Sequence, residues 1–486
     1  MSTMTNRSRR TFLKHIAGGG AAAGVLGWGR RPAFAAEPQN CAGPKPPATP
    51  IKWTPDTNPI LPRLAASTLG PGDVTKLRSA YEALRSLTTS APNDPRGWLQ
   101  QGDKHCWNCG GGLDGQAGEE IHGSWLFLPW HRAYLYFHER ILGSLINDKS
   151  LRLAYWDWDN SQHRGVPPAW LTPNSASNSL FDANRSAVAG NQAPNSIVGP
   201  QIMSPIINAS TFARFGGRSP SPTANRAGNL ENGPHGAVHI WSGDTSMQAA
   251  NPDMGLLDTA AQDPLFFAHH SNIDRLWNVW LSAASTHKNP PDTSWLTHKF
   301  TFWDERKRWV SITPADVINM SAKLRYTYGP AAAHPLLVMA TPKVLKLNFD
   351  PSKAIVIPDA VRKRVTAAPT AMAPAAKLTV LRLEGIELPP SASGIYRIIA
   401  NKPGATAAEV ADTPNDLGYI AIVPRTSKDR GGHHATLDHD LNVTESFGKL
   451  VGESGKLNLS YAPLGQTGDA AKGNPLTYQN VYLIEH

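Results

Sequence analysis

Seventeen histidines stand in the 486 residues, and six of them fall into two groups whose spacing suits a metal. His235 and His239 lie four apart in PHGAVHIW, so both rings leave the same face of a helical turn. Taken alone the pair is weak evidence, since neighbouring histidines often satisfy each other. The run FFAHH brings His269 and His270 into an apolar segment, and His131 sits similarly in LFLPWHRAYLYF. Burying such rings is costly unless they bond to something. His105, His122 and His131 form one triplet; His235, His239 and His270 form the other. Neutral imidazole suits copper, zinc, iron and nickel. Carboxylates are sparse near both triplets, and the only nearby sulfurs are Cys106 and Cys109.

The elements that must carry these rings can be read from hydrophobic periodicity. Residues 72–90 show helical spacing through Val74, Leu77, Tyr81, Leu84 and Leu87. Residues 126–146 read as a second helix with Pro129 near its first turn. Residues 263–284 read as a third, opened by Asp-Pro. Residues 36–71 are Pro-rich coil, and 160–232 are rich in Asn, Ser, Pro and Gly and read as loop. From about Thr301 the segments shorten. Residues 359–376 are Ala/Pro-rich and read as an exposed linker. Alternating runs at 377–384, 394–400, 418–424, 435–443, 456–461 and 477–485 then carry the signature of a β-sandwich. The expected fold class is α+β: a mainly helical domain with a four-helix core and long loops, then a C-terminal β-sandwich.

The formal charge of +9 invites a nucleic-acid reading. Residues 1–35 hold six of those positive charges and no acid, which leaves +3 on the rest. No clustered basic stripe supports nucleic-acid binding, and no long apolar run outside the N-terminus supports a multi-span membrane protein. Residues 1–35 read as an export signal. Ser8-Arg9-Arg10-Thr11-Phe12-Leu13-Lys14 resembles the twin-arginine motif, a Gly/Ala-rich stretch follows, and Ala33-Phe34-Ala35 is a cleavage site. The mature chain is expected to begin at Ala36 and to be periplasmic or secreted, handled by the twin-arginine export machinery. Cys41, Cys106 and Cys109 are the only cysteines, an odd number in an exported chain. They allow one disulfide plus a buried thiol. CWNC could also be a redox pair or half a zinc knuckle, but a second pair for a four-sulfur zinc site is missing.

Four motifs then carry a resemblance. HCWNC, HGSWLFLPWHRAYLYFHER, ENGPHGAVHIWSGD and DPLFFAHHSNIDRLW resemble, in order and spacing, the type 3 copper proteins, most closely the plant-like polyphenol oxidases (catechol oxidases and tyrosinases). The resemblance covers most of residues 36–300, and with the export motif it implies a bacterial member. It implies a catalytic domain over 36–300, a closing segment over 301–358 that includes LRYTYGP, the linker 359–376, and a sandwich over 377–486 that covers the active site in latent forms. Cleavage at the linker, near Arg362-Lys363-Arg364, would release that cover.

Carried onto this chain, the resemblance places His105, His122 and His131 on copper A and His235, His239 and His270 on copper B. His269 becomes a neighbour that orients ligand rings, and Asp274, one turn beyond His270, either shares that role or makes a helix-packing ion pair. A thioether joins Cys109 to His122, and Cys106 pairs with Cys41. Glu231 matches a glutamate that holds a water over the site. Gly236 replaces an asparagine found in many tyrosinases, which leans toward o-diphenol oxidation alone. Leu257 stands where a plant enzyme has a bulky Phe gate, which leans the other way. The implied reaction is oxidation of o-diphenols to o-quinones with O2 reduced to water, with monophenol hydroxylation as an addition. The implied partners are O2 and small phenols.

His433, His434 and His439 read as a solvated polar loop, with copper binding or delivery as the alternative. A hemocyanin-like reversible O2 carrier would use the same ligands. A di-iron carboxylate bundle needs two E-x-x-H motifs and two further glutamates, and only Glu119-x-x-His122 fits. A zinc hydrolase needs three ligands and a base, fewer than the six histidines here.

Overall fold

Five helices hold the first half of the chain together. They are α1 (Pro71–Ser90), α2 (Trp98–Cys106), α3 (Phe127–Leu145), α4 (Gly236–Gly243) and α5 (Leu265–Ala283). The computed structural model describes residues 47–111, 119–221, 224–247, 251–329, 342–349, 354–366, 378–389, 392–424, 436–452, 454–465 and 468–486. Helix α1 starts with Pro71 in its first turn, and the Asp73 carboxylate accepts from the Gly70 N–H at 3.1 Å, which satisfies an orphan donor. It buries Leu77, Ala80, Tyr81 and Leu84 on one face. Asp263 does the capping work for α5, its Oδ1 accepting from Leu265 N at 2.7 Å. Helices α3 and α5 are buried on almost every side, as expected for central helices rather than amphipathic surface ones.

What locks α3 to α5 is a buried ion network centred on Asp274. Arg132 of α3 donates through Nε to Asp274 Oδ1 at 2.5 Å. Arg63 donates to Asp274 Oδ2 at 3.3 Å and, through Nε, to Glu139 at 2.9 Å. The hydroxyls of Tyr326 and Tyr328 donate to Asp274 Oδ2 at 2.6 and 2.5 Å. Arg63 and the two tyrosines lie on the paired strands Leu61–Arg63 and Tyr326–Tyr328, so both ends of the helical region are tied to its centre. Burial alone would push the Asp274 carboxyl up, but Arg132 and Arg63 hold it below the usual range. Asp274 therefore spends its oxygens on helix packing.

The C-terminal part is two four-stranded antiparallel sheets facing a common apolar core. The strands are β1 (Lys343–Lys346), β2 (Thr379–Glu387), β3 (Gly394–Ala400), β4 (Asp416–Ile422), β5 (Thr436–Asn442), β6 (Leu459–Pro463), β7 (Asn474–Pro475) and β8 (Asn480–Glu485). The sheet orders are β4-β3-β6-β7 and β5-β2-β8-β1. Leu381 and Leu383 of one sheet and Ile398 and Ile420 of the other are buried in the same cluster. The sandwich starts earlier than its expected boundary at 377. β1 pairs along β8 from Lys343↔Glu485 to Lys346↔Tyr482. The expected linker 359–376 is also corrected in part: Asp359–Thr366 is helical, and Val361 is buried in the sandwich core. An Ala/Pro-rich composition did not reveal that Ile355, Ile357 and Val361 supply apolar anchors there. Residues 367–377, the remainder of that stretch, lie outside the described residues, as do 330–341.

Strand β5 docks the sandwich onto the helical part. Asp440 accepts from Arg214 Nε at 2.8 Å and from Asn229 Nδ2 at 2.9 Å, and Arg218 pairs with Asp438. Tyr419 of β4 donates to the Ile197 carbonyl at 2.6 Å. His439 is buried on β5, not solvated in a loop. Burial pulls its ring down to about 4. His433 and His434 lie outside the described residues. No helix of the described residues is long and apolar enough to cross a membrane.

Replacing Asp274 by Asn should cost about 3–5 kcal/mol in chemical denaturation, because it leaves Arg132 buried without its counter-charge and Arg63 with Glu139 alone. A loss below 1 kcal/mol would show that the network does not lock α3 to α5.

Candidate metal centre

Each helix but α1 delivers histidine to one buried point. His105 sits in the last turn of α2, and His131 in the first turns of α3. His239 lies on α4 with His235 just before it, and His269 and His270 lie on α5. His122 comes from the segment before α3. All seven rings are buried. The first three cluster with ring centroids 5.3 Å apart for His105–His122, 5.5 Å for His105–His131 and 5.3 Å for His122–His131. In the second group His235–His239 are 4.7 Å apart and His235–His270 are 5.0 Å apart. The groups abut: His131 stacks on His270 at 4.1 Å with 9° between planes. Phe127 and Phe266 pack on rings of both groups, Phe127 on His131 at 4.7 Å and His235 at 4.6 Å, Phe266 on His105 at 4.7 Å and His270 at 4.1 Å.

The hydrogen bonds decide which nitrogen is left over. His131 Nδ1 meets the Phe127 carbonyl at 2.8 Å, His235 Nδ1 the Glu231 carbonyl at 3.4 Å, and His239 Nδ1 the Met254 carbonyl at 2.9 Å. A carbonyl only accepts, so each Nδ1 must carry the proton and each Nε2 keeps its lone pair. Nε2 of His131 and of His235 is buried with no hydrogen-bond partner among the described residues. His239 Nε2 lies 3.2 Å from His270 Nε2. Two nitrogens each about 2.0–2.1 Å from one ion at a tetrahedral angle would be about 3.3 Å apart. Burial pulls the rings of His131, His235 and His270 well below the usual value, and that of His239 to about 3. The rings are therefore neutral near pH 7, with lone pairs available to a metal.

His269 lies close enough to be counted with His235, His239 and His270 as a possible donor. Its own bonding argues otherwise. Trp158 Nε1 donates to His269 Nδ1 at 3.0 Å, and an indole N–H can only donate. In the neutral ring the proton must then sit on Nε2, which removes that nitrogen as a ligand. Burial keeps this ring neutral too, pulling it well down against an opposing hydrogen bond to the His235 main chain.

The sequence matches the common central domain of tyrosinase over residues 95–204 and 171–283, and the polyphenol oxidase middle domain over 289–336. It is 33% identical to a chloroplastic polyphenol oxidase of Vitis vinifera over 354 residues, covering 67% of this chain and 56% of that one. A crystal structure of Grenache (Vitis vinifera) polyphenol oxidase is 32% identical with a TM-score of 0.53, covering 60% of this chain and 92% of that one. The chain belongs to the polyphenol oxidase family. It spans about half the length of the curated relatives it matches, 56% and 49% for two of them. A latent apple tyrosinase shares the fold across both parts, at 24% identity and a TM-score of 0.65, covering 89% of this chain and 100% of that one.

In this chain His122 and His235 stand in the wall of a small cavity. Glu120, His122, Glu231, His235 and Leu257 line it from the helical side, and Ile386, Ala421, Ile422 and Val423 from the sandwich. Glu231 is buried and accepts from the Gly123 N–H at 2.7 Å. Leu257 donates its N–H to the Pro424 carbonyl at 2.8 Å and shares an apolar cluster with Val423 and Cys109. Gly236 faces the same strand end: a Cβ there would stand 3.2 Å from both Cβ and O of Ala421. Cys109 is a buried thiol with Sγ 3.5 Å from His105 Nδ1, and it falls with His105 and His122 in one potential donor group. Cys106 is disulfide-bonded, while Cys41 lies outside the described residues. Glu119, the acid at E-x-x-H spacing, turns to His298 at 2.6 Å.

Trp158, Glu120 and Val423 were not singled out from the sequence. Glu120 had a local signal, a carboxylate two residues before His122. Trp158 and Val423 had none, because each reaches the site from a distant segment. Histidine-selective 15N NMR of the metal-free protein should find the His269 proton on Nε2, and Trp158→Phe should remove that preference. A proton on Nδ1 in the parent protein would erase the distinction between His269 and His270.

Proposed function

We propose that this chain is a dicopper oxidase of o-diphenols, producing o-quinones as O2 is reduced to water. The observation that supports this most is the cluster of seven buried imidazoles, in which main-chain carbonyls hold Nδ1 of His131, His235 and His239 and Nε2 of His239 lies 3.2 Å from Nε2 of His270. In this reading His105, His122 and His131 hold copper A, and His235, His239 and His270 hold copper B. The donor set fits: neutral imidazole suits copper, and among the described residues the two potential donor groups consist of histidines and Cys109. When bound, the copper pair would supply O2 activation and the electron transfer that the side chains lack. The chain's own residues do the rest. The main-chain carbonyls fix ring orientation, and Phe127 and Phe266 keep the centre dry. Glu231 would hold a water that takes a phenolic proton. Cys109 is proposed to join His122 through a thioether, and Cys41 to pair with Cys106.

The sandwich is proposed to act as a cover that keeps the protein latent. Support comes from Val423, Ala421 and Ile386, which occupy the approach to His122 and His235. Gly236 suits this arrangement, since a larger side chain would press on Ala421. Release would require a cut before Lys343, because β1 and the 359–366 helix belong to the sandwich and would hold it in place after a cut at Arg362-Lys363-Arg364. The twin-arginine motif and cleavage site support export to the periplasm or beyond, although these residues lie outside the described structure.

Two measurements test the reading. The copper-loaded protein should hold two copper ions per chain, and His235→Ala should hold one, lose oxidase activity and keep its circular dichroism. Full activity in that variant would sink the assignment. Oxygen uptake should be low with catechol in the intact chain and rise severalfold once an inserted protease site after Gly329 is cut. Uptake with catechol alone makes it a diphenol oxidase, and uptake with a monophenol as well adds hydroxylation. Reversible O2 binding without turnover, before and after cutting, would favour the carrier reading.

A further inference from the structure

Three of the rings in the centre lean on neutral main-chain carbonyls; His122 meets a carboxylate. Its neighbourhood is built by Asn108, which stands beside Cys109. The Asn108 carbonyl accepts from the Ile121 N–H at 3.1 Å, and its Nδ2 donates to the Glu119 carbonyl at 3.1 Å. These two bonds hold the segment 119–122 against the residues that follow α2. The two acidic side chains of that segment then part. Glu119 turns to His298. Glu120 folds back on His122: its Oε1 accepts from the His122 main-chain N–H at 2.9 Å and lies 3.2 Å from Nδ1 of the same ring. The Glu120 side chain is 28% exposed while His122 is 7% exposed, so the carboxylate meets water on one side and the buried ring on the other.

We propose that Glu120 is a positioning residue for copper A, acting through His122. The inference rests on the two-copper reading above. A carboxylate that takes the Nδ1 proton of a ligand ring fixes the tautomer with the lone pair on Nε2, and raises the basicity of that nitrogen. A charge-assisted bond of this kind is stronger than one to a neutral carbonyl. The difference falls on one ligand of one metal. It also falls on the one ring whose segment is not helical, so no i−4 carbonyl of a helix is at hand to hold it. Glu120 supplies from a side chain what α3 supplies to His131 from its backbone.

The test is chelator resistance of the copper-loaded full-length chain, read as copper per chain against chelator concentration. Melting of the metal-free proteins is followed alongside. In Glu120→Ala one of the two coppers should leave at roughly 10–100-fold lower chelator concentration than in the parent. The half-loaded protein should then show the EPR signal of a single cupric ion, which a coupled pair does not give. Glu120→Gln keeps an acceptor oxygen but no charge, so its curve should fall between the two, with metal-free melting unchanged. If the parent holds two coppers and all three curves coincide, the inference is overturned while the copper reading stands. Loss of both coppers together, with lowered metal-free melting, would also overturn it by showing a general structural role. A parent that holds no copper would overturn the reading beneath it.

Discussion

Seven imidazoles are buried at one place, and a buried ring nitrogen without a partner is unfavourable. The chain meets part of that demand with its own backbone. Carbonyls of Phe127, Glu231 and Met254 take the Nδ1 protons of His131, His235 and His239. That leaves Nε2 of each of these three with a lone pair, and His239 Nε2 faces His270 Nε2 at 3.2 Å, a state that a bound cation would stabilise. Almost everything else in the helical part is arranged so that these rings do not relax away from that geometry. Phe127 and Phe266 wedge between rings of both groups, and Trp158 holds His269 in the tautomer that does not compete.

The second constraint lies one layer out. The helices that carry His131 and His270 must keep their register, and a small error in either would separate the stacked rings. Asp274 prevents this by meeting two arginines and two tyrosines from α3 and from the paired strands at 61–63 and 326–328. Its single carboxylate would be costly to bury alone. Surrounded by Arg132 and Arg63 it stays ionised, and it ties distant stretches of chain to the middle of α5. Removing one partner leaves a buried charge exposed to apolar surroundings, so the network specifies one arrangement more than it adds to total stability.

The sandwich is joined to this core by a different kind of contact. β5 presents Asp438 and Asp440 to Arg218 and Arg214, and the end of β4 places Ala421 and Val423 over the histidines. Charged groups fix the register of docking, and small apolar groups fill the approach. Gly236 is the counterpart on the other side, where even a Cβ would crowd Ala421.

Much of this was legible in the amino-acid order alone. Helix spans at 72–90, 126–146 and 263–284 differ from the observed ones by only one or two residues, because burial on a 3.6-residue period leaves a strong local mark. The histidine spacings pointed to two triplets, and four of those six rings lie on the helices α2 to α5. Other features are properties of the folded chain only. The tautomer of His269 depends on an indole 111 residues away. The role of Asp274 depends on Arg63, 211 residues away. The start of the sandwich at β1, the anchoring of the 359–366 helix and the burial of His439 all follow from which apolar faces meet, and a short strand or a single valine carries no local sign of its partner. Local periodicity determined the long helices and the run of short strands that follows them. Long-range packing decided which nitrogen points inward and what covers it.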